Sequence, residues 1–471
     1  MLASSLAFNA LAWGMSETVT GTVASADGAP VSGVTVTDGF NCVLTDSLGR
    51  YSLLKNDRAN LIYISTPSGF TVETAQGHPQ FFKPFEEGVA RYDFTLIPNP
   101  NDNGRHVMMV QSDVQVVSED ELCLYDEQVD DAREHLRPFA EAGVDVFGVD
   151  VGDIVGDHPE LYPSSLAHRE RLGFPMYYVL GNHDMQYYGR THETSPVRFE
   201  KYFGPAHYSF NKGNAHYVVL DNVFYIGRDY FYMGYIDEAT FDWLEQDLAG
   251  VREGAPVFVI MHIPTRLHQN VDQFTYDGAH VAQSTVNAAH LYNILKPYNA
   301  NIITGHQHCN FNIQIADNIL EHNTGAACGT WWDLPVCEDG TPQGYAVYMV
   351  DGDDVSWYYK SKGREPSYQF RGYKVGENSG CPDEITANVW NYDPQWKVEW
   401  LEDGVLMGQM EQYSGCDPEM ARLSADKSKL RYSWIGAAVT DHMFRARPVN
   451  PDAQISIRVT DRFGNVSQQN L

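Results

Sequence analysis

The sequence predicts an α/β core with an all-β domain on each side of it. From residue 106 onward, continuous apolar runs alternate with amphipathic helical stretches, which indicates strands that helices bury on both faces. Before that point, and again near the C-terminus, short strands with alternating apolar and polar residues are separated by turn residues. A chain of 471 residues with 43% apolar content is long enough for several domains with at least one large core.

The N-terminal segment, residues 17–98, is predicted to be a β-sandwich. Residues 19–23 and 34–36 alternate, and Asp27-Gly28 forms a turn between them. The segments beginning at Gly21 (Gly-Thr-Val), Pro30 (Pro-Val-Ser-Gly-Val) and Thr45 (Thr-Asp-x-x-Gly-x-Tyr) resemble the carboxypeptidase-regulatory-like sandwich. That resemblance implies a spacer or docking module. Residues 99–105, which include three Asn, are predicted to be a linker.

The core domain is predicted to span residues 106–366. Its expected strands cover residues 107–110, 144–151, 176–180, 217–220, 257–261, 302–304, 345–350 and 355–360, and its expected helices cover residues 126–143, 237–251 and 288–297. Residues 367–471 are predicted to form a C-terminal β domain, since residues 455–459 alternate again and the tryptophans of this region suit a sandwich core.

Composition narrows the class of partner and the location. The chain has 62 acidic and 32 basic residues, a net charge of −30, which disfavours nucleic acid and anionic lipid as partners. The apolar segment within residues 1–16 is interpreted as the remnant of a secretory leader, which predicts a periplasmic or secreted protein, with the cytoplasm as the alternative. No stretch is predicted to span a membrane, and the oligomeric state stays open.

The seven cysteines show no zinc-binding spacing. Cys328 and Cys337 are close enough in sequence to form a disulfide, and buried free thiols are an equally good interpretation.

Oxygen and imidazole side chains follow five of the predicted core strands. They are Asp113 and Gln115, Asp153, Asn182 with His183, His262, and His306 with His308. Open α/β folds place their sites at this edge of the sheet. Carboxylate, amide and imidazole ligands without thiolate suit Zn, Fe or Mn.

Seven ligands are too many for one ion with open positions and suit two divalent ions that share a carboxylate, ~3.5–4 Å apart. Asp153 lies in the middle of the set and is the expected bridge. Asp113, Gln115 and His308 are then expected to hold one ion. Asn182, His262 and His306 are expected to hold the other.

These blocks, in this order, resemble the calcineurin-like metallophosphoesterases. The matching segments are Asp113-Val-Gln115, Gly152-Asp153, Gly181-Asn-His-Asp184, His262 and Gly305-His-Gln-His308, within residues 106–340. The resemblance implies a central β-sandwich flanked by helices and a phosphate ester as substrate. The family pattern has His where this chain has Gln115, a neutral and weaker donor, which puts the identity and occupancy of that ion in question.

The ligand set predicts a mechanism. Two cations would lower the pKa of a bridging water, so that hydroxide attacks phosphorus in line with the leaving alkoxide. His183 is expected to protonate the leaving oxygen or to stabilise the charge that develops on it, and Asp184 is expected to orient the His183 ring.

Two rival functions remain open at this stage. One is a phosphodiesterase for lipid or glycan head groups at the cell surface. The other is a non-catalytic binding protein on the same fold, which Gln115 alone favours. Tyr187, Tyr188 and His192 could line a substrate cleft or be ordinary loop residues. Trp331-Trp332-Asp333 could be an aromatic wall or a packed core corner.

Overall fold

The computed structural model describes residues 17–186, 191–227, 231–267, 281–450 and 452–471. The segment interpreted as a leader remnant, residues 1–16, lies outside these ranges. Among the described residues, no helix is both long enough and apolar enough to cross a bilayer.

Two sheets form the centre of the molecule. The first central sheet contains, in spatial order, Met176–Tyr178, Asp145–Asp150, Arg105–Gln111, Gly344–Asp351 and Asp354–Ser361. The second contains Tyr208–Lys212, Ala215–Val219, Pro256–Ile260, Asn299–Thr304, Ile319–Asn323 and Phe311–Ala316. The strands that precede the predicted ligands are parallel within each sheet, so their carboxyl ends lie at one edge of that sheet. The strands Val223–Tyr225 and Tyr232–Gly234 form a separate antiparallel ribbon.

Helices cover the outer faces of the two central sheets. The α-helices within the described residues are Glu119–Glu141, Tyr162–Glu170, Val197–Phe203, Glu238–Leu248, Ala288–Leu295 and Pro418–Leu423. Short 3-10 helices span Pro159–Leu161, Asn182–Asp184, His192–Thr194 and Lys427–Lys429. Because successive strand residues point to opposite faces, Val107 and Met109 pack in the cluster that contains Leu122 of the first helix, while Met108 belongs to the cluster between the sheets.

Aromatic rings fill the space between the sheets. Tyr177 stacks on Phe210 with ring centroids 4.0 Å apart, Phe210 stacks on Tyr217 at 4.9 Å, and Tyr217 stacks on Phe258 at 4.8 Å. These contacts tie the edge strand Met176–Tyr178 of one sheet to three strands of the other. This packing fixes the two sheets relative to each other. It therefore also fixes the relative positions of their two edges, which carry the predicted ligands.

The first helix is longer than the sequence pattern indicated. It begins at Glu119, whereas residues 126–143 were predicted, so its first two turns were missed. Ser118 caps it by accepting a hydrogen bond from the Glu121 amide, and Glu119, Asp120 and Glu121 place negative charge at the positive end of the helix dipole. Capping and dipole effects, rather than apolar periodicity, specify this end.

Each flanking region is built from two four-stranded sheets. The N-terminal sheets contain Arg50–Leu54, Thr18–Ser25, Phe94–Pro98 and Phe70–Thr71 in one, and Cys42–Leu44, Thr35–Thr37, Leu61–Ile64 and Phe82–Pro84 in the other, with a small pair, Thr74–Ala75 and His78–Pro79. The C-terminal sheets contain Arg371–Tyr373, Ile385–Asn388, Val439–Ala446 and Glu411–Cys416 in one, and Val405–Gln409, Lys397–Glu402, Ile455–Thr460 and Val466–Asn470 in the other.

The C-terminal tryptophans Trp390, Trp396 and Trp400 are buried, and the last two pack with residues of both C-terminal sheets. All seven cysteines are free thiols, so the disulfide considered between Cys328 and Cys337 is not formed. The predicted fold class, an α/β core flanked by an N-terminal and a C-terminal β domain, is confirmed.

Candidate metal centre

All seven predicted metal ligands lie at the carboxyl edges of the central strands. Asp113, Asp153, Asn182, His262 and His306 each follow within a few residues of the end of a parallel strand. Ligand atoms of Asp153, His262 and His306 lie within 4.8 Å of one another. The structure thus gathers side chains that are up to 195 residues apart in sequence, from Asp113 to His308.

One half of the centre combines Asp153 with an amide and imidazoles. The Nε2 atom of His262 lies 3.3 Å from Asp153 Oδ2 and 3.0 Å from Asn182 Oδ1. His262 is also in edge-to-face contact with His306, with ring centroids 5.0 Å apart. Carboxylate, amide and imidazole atoms at these separations are a suitable ligand set for a borderline divalent ion.

The other half combines Asp113, Gln115 and His308. His308 Nε2 lies 3.5 Å from Asp113 Oδ1, and Gln115 Nε2 donates to Asp153 Oδ2 at 2.8 Å. Asp113 Oδ1 and Gln115 Oε1 are buried and have no hydrogen-bond partner. A buried oxygen without a partner is costly, and a cation would satisfy both of these atoms. Asp153 Oδ2 contacts both halves, which is the position of a shared ligand.

Backbone carbonyls orient the three imidazoles. Nδ1 of His262 bonds Val151 O at 2.8 Å, Nδ1 of His308 bonds Gly329 O at 3.0 Å, and Nε2 of His306 bonds Ala282 O at 3.0 Å. A carbonyl only accepts, so it fixes the proton on the bonded nitrogen and leaves the other nitrogen available as a ligand.

The pKa values of these imidazoles depend on burial and on nearby charges. Burial, and then neighbouring His262, lower the pKa of His306 to about 3, and burial lowers the pKa of His308. For His262, the effect of burial is outweighed by the Asp153 carboxylate, which raises the pKa to about 9. Burial disfavours charge at Asp153 too, but His262 and His183 hold its pKa well below the usual range. A strong preference for positive charge beside Asp153 is what a cation site requires.

The backbone at the ligands is strained. Positive φ angles occur at Asp113 (53°), Gln115 (42°), Asp153 (54°), His306 (71°) and His308 (48°). Residues other than glycine rarely adopt this conformation, and it costs ~1–3 kcal/mol where the surroundings impose it. Such strain concentrates at functional sites.

Two glycines allow the ligand loops to approach each other. A Cβ atom on Gly181 would lie 2.1 Å from the Asp153 amide nitrogen, and one on Gly305 would lie 1.8 Å from Ser112 Oγ. Any larger residue at either position would separate loops that carry ligands.

His183 lies at the mouth of the centre, with 29% of its side chain exposed. Its Nε2 atom is 3.9 Å from Asp153 Oδ2, and its Nδ1 atom bonds Asp157 Oδ1 at 2.8 Å. Burial opposes protonation, but Asp153 and then Asp157 raise the pKa of His183 to about 9. The ring can therefore carry a proton on Nε2 at neutral pH.

The expectation that Asp184 orients the His183 ring is wrong. Its carboxylate accepts from the Gly181 amide at 3.0 Å, the Ile154 amide at 3.2 Å and the Tyr162 hydroxyl at 3.1 Å. Asp184 thus holds the turn in shape, because its oxygens are used by buried donors. Asp157, which sequence reasoning missed, bonds the ring instead. The signal was a second Gly-Asp pair, Gly156-Asp157, four residues after Gly152-Asp153.

Comparison with known proteins decides the family. Family models described as calcineurin-like phosphoesterase, its N-terminal part and its C-terminal part match residues 107–310, 17–99 and 321–466. The chain belongs to the calcineurin-like phosphoesterase family. Membership supports metal-dependent hydrolysis of phosphoric esters as its general activity.

Solved structures with similar segments include several phosphoesterases. A dimetal phosphatase from Danio rerio is 14% identical, with 55% of this chain and 96% of that chain covered and a TM-score of 0.40. A purple acid phosphatase from yellow lupin (Lupinus luteus) seeds is 12% identical over 70% and 67% of the two chains, with a TM-score of 0.41. A 5'-nucleotidase from Candida albicans is 11% identical over 55% and 52%, with a TM-score of 0.34. Likenesses this remote say nothing of substrate. No curated protein sequence gives a match.

Aromatic residues border the centre of this calcineurin-like phosphoesterase. Trp331 stacks on His308 with ring centroids 4.5 Å apart, so the segment Trp331-Trp332-Asp333 does adjoin the ligands. Tyr232 lies edge-to-face with His306 at 6.1 Å, and burial, followed by Asp153 and Asp113, raises its pKa. Sequence reasoning missed Tyr232, which no motif marks.

Of the other residues considered for a substrate cleft, Tyr187 and Tyr188 lie outside the described residues. His192 stacks on Phe224 with ring centroids 4.4 Å apart, and its Nε2 atom lies 3.9 Å from Asp221 Oδ2. His192 therefore packs on the ribbon strand Val223–Tyr225.

Proposed function

We propose that this protein hydrolyses phosphoric esters at a centre of two divalent metal ions, Mn, Fe or Zn, that share Asp153. The observation that carries the proposal is the pair of buried oxygens that accept no hydrogen bond, Asp113 Oδ1 and Gln115 Oε1, within one cluster of ligand side chains. His308 Nε2 lies 3.5 Å from Asp113 Oδ1, longer than a good hydrogen bond, and a cation would satisfy both oxygens.

The residues divide between the two ions. Asp113, Gln115 and His308 would hold one ion, Asn182, His262 and His306 would hold the other, and Asp153 would contribute to both. When bound, two such ions supply a hydroxide nucleophile from water at neutral pH and offset negative charge on the phosphoryl group. Gln115 would coordinate its ion through a neutral amide oxygen, so that ion is expected to be the more weakly bound of the two.

His183 is proposed to act as the general acid. Asp157 Oδ1 accepts a hydrogen bond from Nδ1, which turns Nε2 toward Asp153 at 3.9 Å. In the imidazolium form, Nε2 can give its proton to the leaving alkoxide oxygen, which makes the departing alcohol neutral. Asp157 stabilises the charged ring and keeps its orientation.

The test is a paired rate assay with protein reloaded with Mn, Zn or Fe. A nitrophenyl phosphate monoester and the corresponding diester are offered to the wild type, Asn182→Ala and His183→Ala. His290→Ala serves as the matched control, because His290 is exposed on the helix Ala288–Leu295 and packs on Phe241.

We expect turnover in the wild type and the control and a loss of ~100-fold or more in the other two variants. The preferred ester decides between a phosphomonoesterase and a phosphodiesterase. The second class includes a phosphodiesterase that acts on lipid or glycan head groups. Protein that binds no metal and turns over neither ester would overturn the proposal and leave a non-catalytic binding protein as the better reading.

A periplasmic or secreted location is part of the proposal. It rests on the apolar composition of residues 2–14. Fractionation of the source cells tests it, and recovery of the protein in the cytoplasmic fraction would contradict it.

A further inference from the structure

A group of three aromatic residues extends from the metal centre onto the C-terminal region. Trp331, Tyr432 and Trp434 are named here the aromatic shelf. Trp331 stacks on the ligand His308 at 4.5 Å, and its ring is edge-to-face with Trp434 at 6.1 Å and with Tyr432 at 6.4 Å. Tyr432 and Trp434 stack on each other at 4.5 Å. Trp434 is therefore two ring contacts away from a metal ligand.

The shelf is fixed to the loops that carry the ligands. Trp332 Nε1 donates to Val114 O at 2.8 Å, and Val114 lies between the ligands Asp113 and Gln115. The Arg431 amide, next to Tyr432, donates to the Asp333 carboxylate at 2.6 Å. The segment that contains Trp331 is thus tied to the first ligand block, and the segment that contains Tyr432 and Trp434 is tied to it in turn.

The backbone of the shelf is also strained. Trp331 has a φ of 51° and Trp332 a φ of 61°, which bulky side chains adopt only under constraint. The Arg431 guanidinium forms an ion pair with Glu121 on the first helix, which braces the Tyr432 segment. Strain that is maintained by several separate contacts indicates a conformation with a use.

The shelf presents an open ring. Trp434 is 62% exposed, whereas the other C-terminal tryptophans, Trp390, Trp396 and Trp400, are buried in the core. An exposed indole beside a phosphoester site is suited to stacking against a flat or ring-shaped part of a ligand.

The charges around the shelf restrict the kind of ligand group that can stack on Trp434. Each basic side chain that flanks the shelf in sequence has a partner: Lys427 donates to Ile435 O, Lys429 pairs with Asp426, and Arg431, whose guanidinium also lies 4.9 Å over the Tyr432 ring, pairs with Glu121. The acidic Asp333 adjoins the shelf as well. These charges disfavour further phosphate groups and favour an uncharged ring.

We propose that the aromatic shelf binds the leaving group of the substrate, and that this leaving group carries an uncharged ring which stacks on Trp434. The phosphate would lie at the metal centre and the ring on the shelf, beyond His308. The proposal rests on the proposed function. A sugar ring and a nucleobase share the required chemistry, and the experiment separates them.

The test compares three esters of primary alcohols, so that the departing alkoxides are chemically alike. Glucose 6-phosphate carries a sugar ring, adenosine 5'-monophosphate carries a nucleobase, and glycerol 3-phosphate carries no ring. The measured quantity is the ratio of kcat/KM for each ring-bearing ester to that for glycerol 3-phosphate. It is determined in the wild type, Trp434→Ala, Trp434→Leu and Trp434→Phe.

We expect the ratio for one ring-bearing ester to fall ~5- to 30-fold in Trp434→Ala and Trp434→Leu, and to recover largely in Trp434→Phe, which restores a flat ring. The ester whose ratio falls identifies the ring as a sugar or a nucleobase. The control is Val405→Ala, at an exposed position of the strand Val405–Gln409, and it should leave the ratio unchanged.

Unchanged ratios in all Trp434 variants, with glycerol 3-phosphate still hydrolysed, would overturn this inference and leave the proposed function intact. Equal recovery by Leu and Phe would show that apolar bulk, not stacking, is responsible, and would also overturn it. A wild type that hydrolyses none of these esters and neither nitrophenyl ester when loaded with metal would instead be a failure of the proposed function.

Discussion

Asp157 and Asp184 are the two carboxylates considered as partners of His183, and their replacement is predicted to affect different properties of the protein. Asp157 Oδ1 bonds the His183 ring nitrogen Nδ1 at 2.8 Å, and 30% of the Asp157 side chain is exposed. Asp184 is buried and serves two backbone amides and the Tyr162 hydroxyl. The first change should therefore alter the rate, and the second should alter stability.

The magnitudes follow from these contacts. Loss of a carboxylate that orients a catalytic imidazole costs about 10- to 100-fold in activity. Asp157→Asn should lower kcat by that factor, and because Asn tolerates the φ of 65° at this position, stability should change by no more than ~0.5 kcal/mol. Asp184→Ala leaves two buried amides without an acceptor, at ~1–3 kcal/mol each, so the free energy of unfolding should fall by ~2–6 kcal/mol.

The assay combines kcat for the preferred ester at saturating metal with urea unfolding of each variant. The ratio of rate loss to stability loss should be high for Asp157→Asn and low for Asp184→Ala, once the folded fraction is taken into account. An Asp157→Asn protein with the wild-type kcat would refute this reasoning. A stable Asp184→Ala protein with a large loss of kcat would restore Asp184 as the partner of His183.

Three further predictions concern the loops, the first ligand block and a buried histidine. Gly305→Ala places a Cβ 1.8 Å from Ser112 Oγ, so the free energy of unfolding should fall by ~1–3 kcal/mol and metal content should drop; unchanged metal content by elemental analysis would contradict this. Gln115→His replaces a neutral oxygen donor by imidazole, and competition with a chelator should show the weaker ion bound about tenfold more tightly; equal or weaker binding would count against Gln115 as a ligand. Burial, and then Arg462, lower the pKa of His322 to about 3, below the ~6.5 of an unfolded histidine, so the unfolded chain binds the extra proton and stability is lost as pH falls below ~6.5. Between pH 6.5 and 5 the wild type should therefore lose about 2 kcal/mol more than His322→Gln in denaturant titrations, and identical losses would show that His322 protonates freely in the folded protein.

The metal centre could be predicted from the sequence because its parts are local. Asp153 after a glycine, and Asn182 and His183 in a four-residue turn, are marked by spacing, and each follows an apolar run that reads as a buried strand. Parallel strands place their carboxyl ends at one edge of the sheet, so the strand pattern alone implied that the ligands meet. The same pattern located eight of the eleven central strands and missed Tyr208–Lys212, Phe311–Ala316 and Ile319–Asn323.

The orientation of side chains within the centre could not be predicted in this way. Asp157 and Asp184 are both near His183 in sequence, and only the course of the turn decides which carboxylate meets the ring. The contact between Trp331 and Trp434 depends on how the C-terminal region packs against the core, over a separation of about 100 residues. Contacts of this kind, between individual side chains, leave no periodic pattern in the sequence from which they could be predicted.

The most direct test of the central claim is the metal stoichiometry of wild-type protein and Asp153→Asn. Each is loaded with Mn, Zn or Fe, freed of excess metal and measured by elemental analysis against protein concentration. If Asp153 is shared by two ions, the wild type should hold two ions per chain, and Asp153→Asn should hold fewer than one because both halves lose a charged ligand. A wild type with a single ion, or an Asp153→Asn protein that keeps two, would contradict a two-ion centre built on this residue.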